Sequence, residues 1–571
     1  MSKILLFFHT VRYLTVRQIF FQLKARVFKS RVNLNKAQAL NLRSDLNAVL
    51  DLSRGFVPRW TGGEAGSVEG GFEFISETVK YKEGVDWSES RFGGLWLDHL
   101  HYFRYLDVLS GTADKVNQGY KLIMSWAIGR LSVNKAFWPP YNASERAFCM
   151  GRWLLLNRGL LSEQQISKVT MIIYQDIDFV SQHLEWNLDG NHLLKNISAV
   201  WWGCHLFDEA HAKKWQAMVN LHLKSIVSNQ VLEDGLHYEK SPLYHQLALI
   251  DFVDILSVMP ADSIDYDYLS SLVMKMYSAF KFLIHPDGLS CMFGDSPANL
   301  SAPASEVIRF CDDFIGEPLI PHELPVAGYY QLSTDSDFYI IADTGDLGPD
   351  EQMGHAHSDM LHFELSFRGK RVLVEGGTSS YYDSIRRPYE RSTCAHNTLS
   401  LNGASQCQSW SNFRVAQRGH CQVNEHLIQK SKRTLVAQHD GFISTYGVHH
   451  RRLFNYQKGV LIVEDFIDYC FKNRAARIER IESYLHFSSR CYLKDIDETS
   501  ILISVDGDEL YLVIENASFE ITSMNYGVGY NQIKKGTCVK MVMKEGTAGA
   551  KFSFIGGKLK FQEYLKGGLS L

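Results

Sequence analysis

The sequence predicts an α+β multidomain protein in which a helical domain precedes an antiparallel β domain. Length is the first observation, because 571 residues exceed what one hydrophobic core usually serves. The second is a change in apolar spacing near residue 320, from helical periodicity to alternation along the chain. We expect an amphipathic segment over residues 1–40, a helical domain over 41–320 and a β domain over 321–571.

The helical domain is predicted from apolar residues that recur at helical spacing, as over residues 164–184 and 244–259. Turn residues such as Pro139 and Pro140 separate these stretches. Repeated helix pairs of this length favour an (α/α) toroid, although an irregular helical bundle fits the same pattern.

The β domain is predicted from alternating and β-branched segments, such as residues 338–342 and 362–367. Residues 367–371 and 505–509 carry hairpin signals, with glycine in a short polar turn. So many antiparallel strands indicate a large β-sandwich. We expect the active site at the junction of the two domains, where pockets commonly form.

Charge and cysteine content exclude several classes of protein. The net charge of -4 disfavours nucleic acid as a partner, because phosphate binding needs a basic excess. An anionic ligand must therefore meet a local basic site. The ten cysteines include no Cys-x-x-Cys pair, which disfavours a disulfide framework or a zinc knuckle.

The N-terminal stretch MSKILLFFHTVRYLTVRQIFFQLKAR is apolar but interrupted by basic residues. It makes a poor signal peptide and is too polar to span a bilayer, so we expect no transmembrane span. A helix docked on the main domain is the favoured interpretation, and peripheral membrane contact is the alternative. A cytoplasmic or membrane-associated location is favoured over a periplasmic one.

Four short clusters concentrate titratable and amide side chains beside Gly or Pro turns. They cover residues 188–196, 233–245, 353–359 and 391–398. Asn191 opens an apolar helix, and taken by itself an N-cap is the favoured interpretation of this residue. His355 and His357 alternate on what we expect to be extended chain, which places them on one face and favours catalysis or metal binding.

These clusters carry a resemblance to a known family. The stretch GHAHSDMLHFELSFRGKRVLVEGGTSSYYDSIRRPYERSTCAHNTLSLNG resembles the core of the heparinase II/III β domain. Upstream, DGNHLLKN, EDGLHYEKSPLYH and HPDGLSCMFGDS fall in the order expected of its helical domain. The resemblance covers most of the chain after about residue 90. It implies an (α/α) toroid, a C-terminal antiparallel β-sandwich and lyase activity on uronic-acid polysaccharides.

The resemblance also implies roles for individual residues in a β-elimination. Asn191 and His192 would hydrogen-bond the uronate carboxylate and stabilise the charge that develops there. His355 suits the base that removes the C5 proton, and Tyr244 suits the acid that protonates the leaving oxygen. The resemblance also allows a tyrosine as the base, depending on the epimer at C5, so a second tyrosine is expected in the site. Tyr381 is favoured for it, and Tyr382 and Tyr389 are the alternatives.

A structural metal is implied as well. The resemblance assigns His357 to it, and Glu375 and His396 would complete a Zn²⁺ site below the active site. The family usually has Asp where this chain has Glu375, but zinc accepts either carboxylate. Histidines that are only hydrogen-bonded in place are the alternative.

An acidic polysaccharide or oligosaccharide is the expected partner, and five residues are candidates for holding it: Glu239, His245, Arg386, Arg387 and Arg391. A glycoside hydrolase on the same scaffold is an alternative, because it needs two opposed acids. Candidates for them are Asp189, Glu233, Asp234 and Glu239. A noncatalytic glycan-binding or assembly protein is another alternative. Processing of a bacterial exopolysaccharide or capsule is the favoured role.

Overall fold

A computed structural model provides the structure of the protein. It describes residues 3–27, 40, 42–46, 55–59, 71–82, 84–130, 138–333, 335–470, 476–544 and 549–566. Part of the expected N-terminal segment 1–40 therefore lies outside the described residues.

Helices dominate the first part of the described chain. Their bounds are α1 Lys3–Val11, α2 Val16–Val27, α3 Gly94–Tyr102, α4 Ala113–Gly129, α5 Pro140–Asn157, α6 Glu163–Gln182, α7 Gly190–Leu206, α8 Glu209–Gln230, α9 Pro242–Val258, α10 Tyr266–Phe282 and α11 Ala304–Ile315. Three shorter or peripheral helices lie further on: α12 Arg386–Glu390, α13 Ile443–Tyr446 and α14 Lys558–Leu565.

Two short strands lie between α2 and α3, and the others follow α11. The bounds are β1 Phe72–Phe74, β2 Glu77–Val79, β3 Glu323–Leu324, β4 Tyr329–Gln331, β5 Phe338–Asp343, β6 Phe363–Phe367, β7 Lys370–Val374, β8 Leu399–Leu401, β9 Ser409–Trp410, β10 Arg414–Val415, β11 Cys421–Ile428, β12 Lys432–His439, β13 Val448–Gln457, β14 Val460–Tyr469, β15 Ile481–Phe487, β16 Cys491–Asp495, β17 Ser500–Val505, β18 Asp508–Glu515, β19 Ala517–Gly529, β20 Gln532–Met543 and β21 Lys551–Gly556.

The helical domain is built from alternating inner and outer helices. The inner helices α3, α5, α7 and α9 contact one another in sequence, while α6, α8 and α10 pack outside them. Local sequence signals set the helix starts. Ser162 and Gln165 form a capping box at α6, and Ser241 caps α9, whose first residue is Pro242. Large apolar side chains, including Trp201 and Trp202, are completely buried between the helices.

The β domain consists mainly of two antiparallel sheets packed face to face. One has eight strands in the order β11-β12-β13-β14-β21-β18-β17-β16. The other has nine, in the order β19-β20-β15-β7-β6-β5-β4-β3, with β8 paired to β15. Side chains from both, such as Phe363, Phe454 and Phe552, share one buried core. The predicted strands and antiparallel packing are confirmed.

Both predicted hairpins form. Arg368 and Gly369, between β6 and β7, have φ values of 49° and 77°, and Asp506 and Gly507, between β17 and β18, have φ values of 44° and 89°. Positive φ at both central residues is typical of the tight turns whose twist matches that of antiparallel strands.

Helices α1 and α2 lie across the junction of the two domains. Phe21 packs near Trp186 of the helical domain, with ring centroids 6.1 Å apart, and Trp410 Nε1 of the β domain donates to Thr10 Oγ1 at 2.9 Å. The docked-helix interpretation therefore agrees with the structure. Among the described residues, no single helix has both the length and the apolar content needed to cross a membrane.

Candidate active site

A cleft of about 830 Å³ lies at the domain junction. Its walls come from the helical domain, from the β domain and from the inner face of α1 and α2. All five residues predicted to be catalytic line it: Asn191, His192, Tyr244, His355 and Tyr381. Residues distant in sequence thus meet at one site, where the domain organisation led us to expect it.

Asn191 lies in the first turn of α7 and is held by Glu239. Its backbone N–H donates to Glu239 Oε1 at 2.8 Å, and its Nδ2 donates to Oε2 at 2.9 Å. The preceding Gly190 has φ 56°, and a Cβ there would lie 2.0 Å from Glu239 Oε1, so only glycine fits. Asp189 is the N-cap residue. The N-cap interpretation of Asn191 is therefore wrong, and its side chain, held by Glu239, lines the cleft.

His192 lies beside Asn191 and is paired with a carboxylate. Its Nδ1 lies 3.2 Å from Glu185 Oε1, and its side chain is 35% exposed. Burial disfavours the charged imidazole, but the attraction of Glu185 outweighs burial, so the pKa of His192 lies above its ordinary value. Sequence reasoning overlooked Glu185, which lies before the helix that carries its partner.

Tyr244 and His355 form the centre of the site. Their rings stack with centroids 3.7 Å apart and an interplanar angle of 28°. The Tyr244 hydroxyl also lies 3.1 Å from that of Tyr381. Burial raises the pKa of both tyrosines well above the ordinary value, so both phenols are protonated near neutral pH.

His355 is oriented by Asp295. Its Nδ1 lies 2.9 Å from Asp295 Oδ2, and its Nε2 lies 3.5 Å from Asn191 Nδ2. A carboxylate accepts only, so Nδ1 carries a proton, and in the neutral ring Nε2 presents its lone pair toward the Asn191 amide, 3.8 Å from Glu239 Oε2. The residue lies in the loop between β5 and β6, and not on the extended strand that we expected.

Asp295 is the main site residue that sequence reasoning missed. Burial alone would raise its pKa, but Arg387 and hydrogen bonds from His355 and His357 hold it well below the ordinary value. Arg387 Nη2 donates to Oδ2 at 2.7 Å, and His357 Nε2 donates to Oδ1 at 3.0 Å. The signal available was its position in HPDGLSCMFGDS, one of the motifs that carry the resemblance.

Below the cleft, a buried group could hold a metal ion. Its members are His357, Asp359, Glu375 and His396, and one ligand atom of each lies within 4.8 Å of the others. The three predicted ligands are thus brought together, and Asp359 joins them. Asp359 belongs to the cluster of residues 353–359, but the sequence does not predict it as a metal ligand.

The hydrogen bonds of this group fit a cation. His357 Nε2 donates to Asp295, and His396 Nδ1 lies 2.8 Å from the Ser392 carbonyl, so each ring turns its unprotonated nitrogen inward. Those two nitrogens, His357 Nδ1 and His396 Nε2, are 3.2 Å apart. The Glu375 carboxylate is completely buried, and neither oxygen has a hydrogen-bond partner among the described residues. Facing lone pairs and a buried carboxylate are costly unless a cation lies between them.

The three predicted substrate-binding arginines lie elsewhere. Arg387 is committed to Asp295, and Arg391 is buried and donates to the Ala356 and Asn412 carbonyls. Arg386 pairs with Glu390. None of the three lines the cleft. This corrects the expectation, and the reason is that buried carboxylates and carbonyls of the fold occupy their donors.

The other predicted contacts also differ in part. His245 is completely buried, and its Nε2 lies 2.9 Å from the Met276 carbonyl, so it joins α9 to α10 and does not line the cleft. Glu239 acts on Asn191 from behind the cleft wall. Of the alternative tyrosines, Tyr382 lines the cleft and Tyr389 does not.

The structure instead places Arg414 at the cleft. Arg414 lies on β10, is exposed, and its guanidinium stacks 5.0 Å from the Trp410 ring. No ion pair joins it to a carboxylate in the described part of the chain. By contrast, two other cleft arginines are paired, Arg104 with Glu145 and Arg418 with Asp350. Arg414 had no distinguishing signal in the sequence.

Comparison with known proteins defines the class to which this fold and site belong. Residues 134–312 match the model of the heparinase II/III N-terminus, and residues 317–546 match that of the heparinase II/III-like C-terminal domain. The chain therefore belongs to the heparinase II/III family.

Two curated relatives are named heparin-sulfate lyases. The one from Pedobacter heparinus is 24% identical over 299 residues, which cover 47% of this chain and 44% of the relative. The one from Bacteroides stercoris is 24% identical over 269 residues, 42% of this chain and 40% of the relative. The matched stretches thus span less than half the length of these relatives.

The crystal structure of heparinase III has a similar fold. It superposes with a TM-score of 0.66 at 15% identity, covering 94% of this chain and 89% of that chain. The likeness confirms the predicted architecture, an (α/α) toroid followed by an antiparallel β-sandwich.

Proposed function

We propose that the protein is a polysaccharide lyase that cleaves a uronic-acid-containing glycan by β-elimination. The observation that carries this proposal is the meeting of Asn191, Tyr244 and His355 in one cleft, with the His355 ring between the other two side chains. An amide can neutralise the substrate carboxylate, an imidazole can act as the base and a phenol can act as the acid. The names of the curated relatives support a uronate-containing substrate.

Neutralising the substrate carboxylate is the first requirement, because its charge resists removal of the adjacent C5 proton. Asn191 Nδ2 lies 2.9 and 3.2 Å from the two Glu239 oxygens, which a single N–H can serve, whereas its 3.5 Å contact with His355 is at the limit of hydrogen bonding. That second N–H can donate to a carboxylate instead. His192, whose raised pKa favours the cation, adds charge at the same end.

Two neighbouring side chains, His355 and Tyr244, remove the C5 proton and protonate the leaving oxygen. His355 Nε2 takes the C5 proton, the C5–H electrons form the C4–C5 double bond, and the C4–O bond breaks. Tyr244 donates its proton to the leaving oxygen, and the Tyr381 hydroxyl stabilises the phenolate by donating to it. Because base and acid are stacked, they suit a sugar whose C5 proton and C4 oxygen lie on the same side of the ring.

We further propose that the buried group below the cleft holds a structural Zn²⁺. His357, Asp359, Glu375 and His396 offer two nitrogen and two oxygen ligands, a set that suits tetrahedral zinc. When bound, the ion would neutralise the buried carboxylates and fix the loop. Asp295 joins His357 to His355, so a fixed His357 helps to orient the base.

The hydrolase alternative finds less support. None of the four acids considered for it, Asp189, Glu233, Asp234 and Glu239, lines the cleft. Asp189 pairs with Arg17, and Glu239 is bound to Asn191. Processing of a bacterial exopolysaccharide or capsule remains the proposed role.

The direct test is a panel of uronate-containing glycans incubated with purified protein. A lyase produces an unsaturated uronate that absorbs in the ultraviolet, and a hydrolase produces only new reducing ends. Absorbance that grows in step with reducing ends supports the proposal. Reducing ends without absorbance would show hydrolysis, and binding of a glycan without either signal would favour the noncatalytic alternative.

A further inference from the structure

Helices α1 and α2 present two different faces. The inner face is tied to both domains. Gln18 Nε2 donates to the Glu351 carbonyl at 3.1 Å, and Arg17 pairs with Asp189 at 3.3 Å and stacks over Trp186 at 4.5 Å. The same face forms one wall of the cleft. The helix pair is therefore fixed to the rest of the protein. Any partner that binds its outer face also fixes the position of the cleft relative to that partner.

The outer face is apolar and exposed. Ile4 and Phe8 are 82% and 63% exposed on α1, and Val16 and Phe20 are 85% and 60% exposed on α2. Each pair is separated by four residues, so its members lie on one side of their helix. Single exposed apolar residues are ordinary, but such a set on adjoining helices indicates a binding surface.

The charge of this segment identifies the kind of surface it fits. Residues 1–27, which contain both helices, include five Lys or Arg residues and no Asp or Glu, although the whole chain has a net charge of -4. Arg12, in the turn after α1, and Lys24, on α2, are both exposed. Apolar side chains flanked by cations suit a layer of anionic headgroups above acyl chains.

We propose that the outer face of α1 and α2 docks on an anionic lipid bilayer, with both helices lying in the plane of the interface. With 9 and 12 residues, the helices are about 14 and about 18 Å long, which suits shallow burial of their apolar side chains. Docking holds the cleft beside the membrane, where it meets a glycan at the bilayer surface. This proposal does not depend on the proposed lyase activity.

The test uses the full chain and sedimentation with vesicles. The wild-type protein should sediment with vesicles of phosphatidylcholine and phosphatidylglycerol. With vesicles of phosphatidylcholine alone, the amount of protein in the pellet should be at least tenfold lower. The variant Phe8→Asp with Phe20→Asp should lose binding to the anionic vesicles by at least tenfold. A matched control carries Ile264→Asp with Leu319→Asp, whose side chains are 96% and 92% exposed elsewhere, and it should bind like wild type.

Melting curves check that each variant folds. If the Phe8/Phe20 variant does not, Arg12→Glu with Lys24→Glu tests the charge of the same face and should weaken binding severalfold. Wild-type protein that stays in the supernatant with both vesicles would overturn the proposal, as would equal losses in the matched control. A wild-type dimer that the Phe8/Phe20 variant dissociates, without vesicle binding, would show that the face joins two copies of this chain.

Discussion

Two histidines separated by a single residue lie in different regions of the molecule. His355 lies at the cleft with its side chain 11% exposed, whereas His357 is completely buried in the candidate metal group. Both hydrogen-bond to the same carboxylate, Asp295, through different oxygens. Residue type alone therefore does not determine whether a histidine of this loop lies in the cleft or in the candidate metal group. The difference lies in the second ring nitrogen, the one not bonded to Asp295, and in the groups that it faces.

The shared carboxylate also links the two regions. Arg387 holds Asp295 from the other side, so the orientation of both imidazoles depends on one buried ion pair. Substitution of one histidine should still affect catalysis and substitution of the other should affect metal binding, because each histidine uses its second nitrogen for a different partner.

The largest effect is expected at the base. His355→Gln should lower kcat by about 10³-fold, because it removes the group that takes the C5 proton. The melting temperature and zinc content should stay near wild type, and His357→Gln should lower both. Steady-state kinetics, calorimetry and metal analysis measure these quantities. If His355→Gln lost zinc as fully as His357→Gln, the two regions would not be separable.

A smaller loss is expected at the acid. Tyr244→Phe keeps the ring that stacks on His355 but removes the proton donor, so kcat should fall by about 100-fold. Tyr389→Phe is the matched control, since its side chain is 37% exposed and does not line the cleft. Unchanged kcat in Tyr244→Phe on every glycan that the wild type cleaves would exclude this residue as the acid.

The buried group should affect stability more than chemistry. The protein should purify with about one zinc ion per chain, and His396→Ala should lose it and lower the melting temperature. His420→Ala is the control, because that side chain is 52% exposed and lies outside the group. Metal analysis and thermal melts provide the readouts. An unchanged melting temperature after complete chelation would contradict a structural ion.

Much of the fold was predictable because helices and strands carry their own periodicity. Residues 164–184 and 338–342 have patterns that depend on local chain geometry alone, and α6 and β5 confirm them. The meeting of Asn191, Tyr244 and His355 needed more. Periodicity cannot tell which helix starts face which loop, and the resemblance to a family supplied that information.

The partners of buried charges were not predictable. Asp295 lies 92 residues before Arg387, so no local pattern joins them. An arginine in a polar stretch reads the same whether it faces solvent, a substrate or a buried carboxylate. For this reason the sequence predicts substrate contacts for Arg386, Arg387 and Arg391, and does not distinguish Arg414 from other arginines.

Arg414 gives the smallest expected effect and tests that correction. Its exposed guanidinium should contribute ~0.5–1 kcal/mol to binding of an acidic glycan, so Arg414→Ala should raise KM about two- to fivefold and leave kcat unchanged. The rise should shrink in high salt, because exposed charges are screened. Arg386→Ala is the matched control, since Glu390 already occupies its guanidinium and KM should not change. A larger rise in KM for Arg386→Ala than for Arg414→Ala would restore the original placement and remove Arg414 from the substrate contacts.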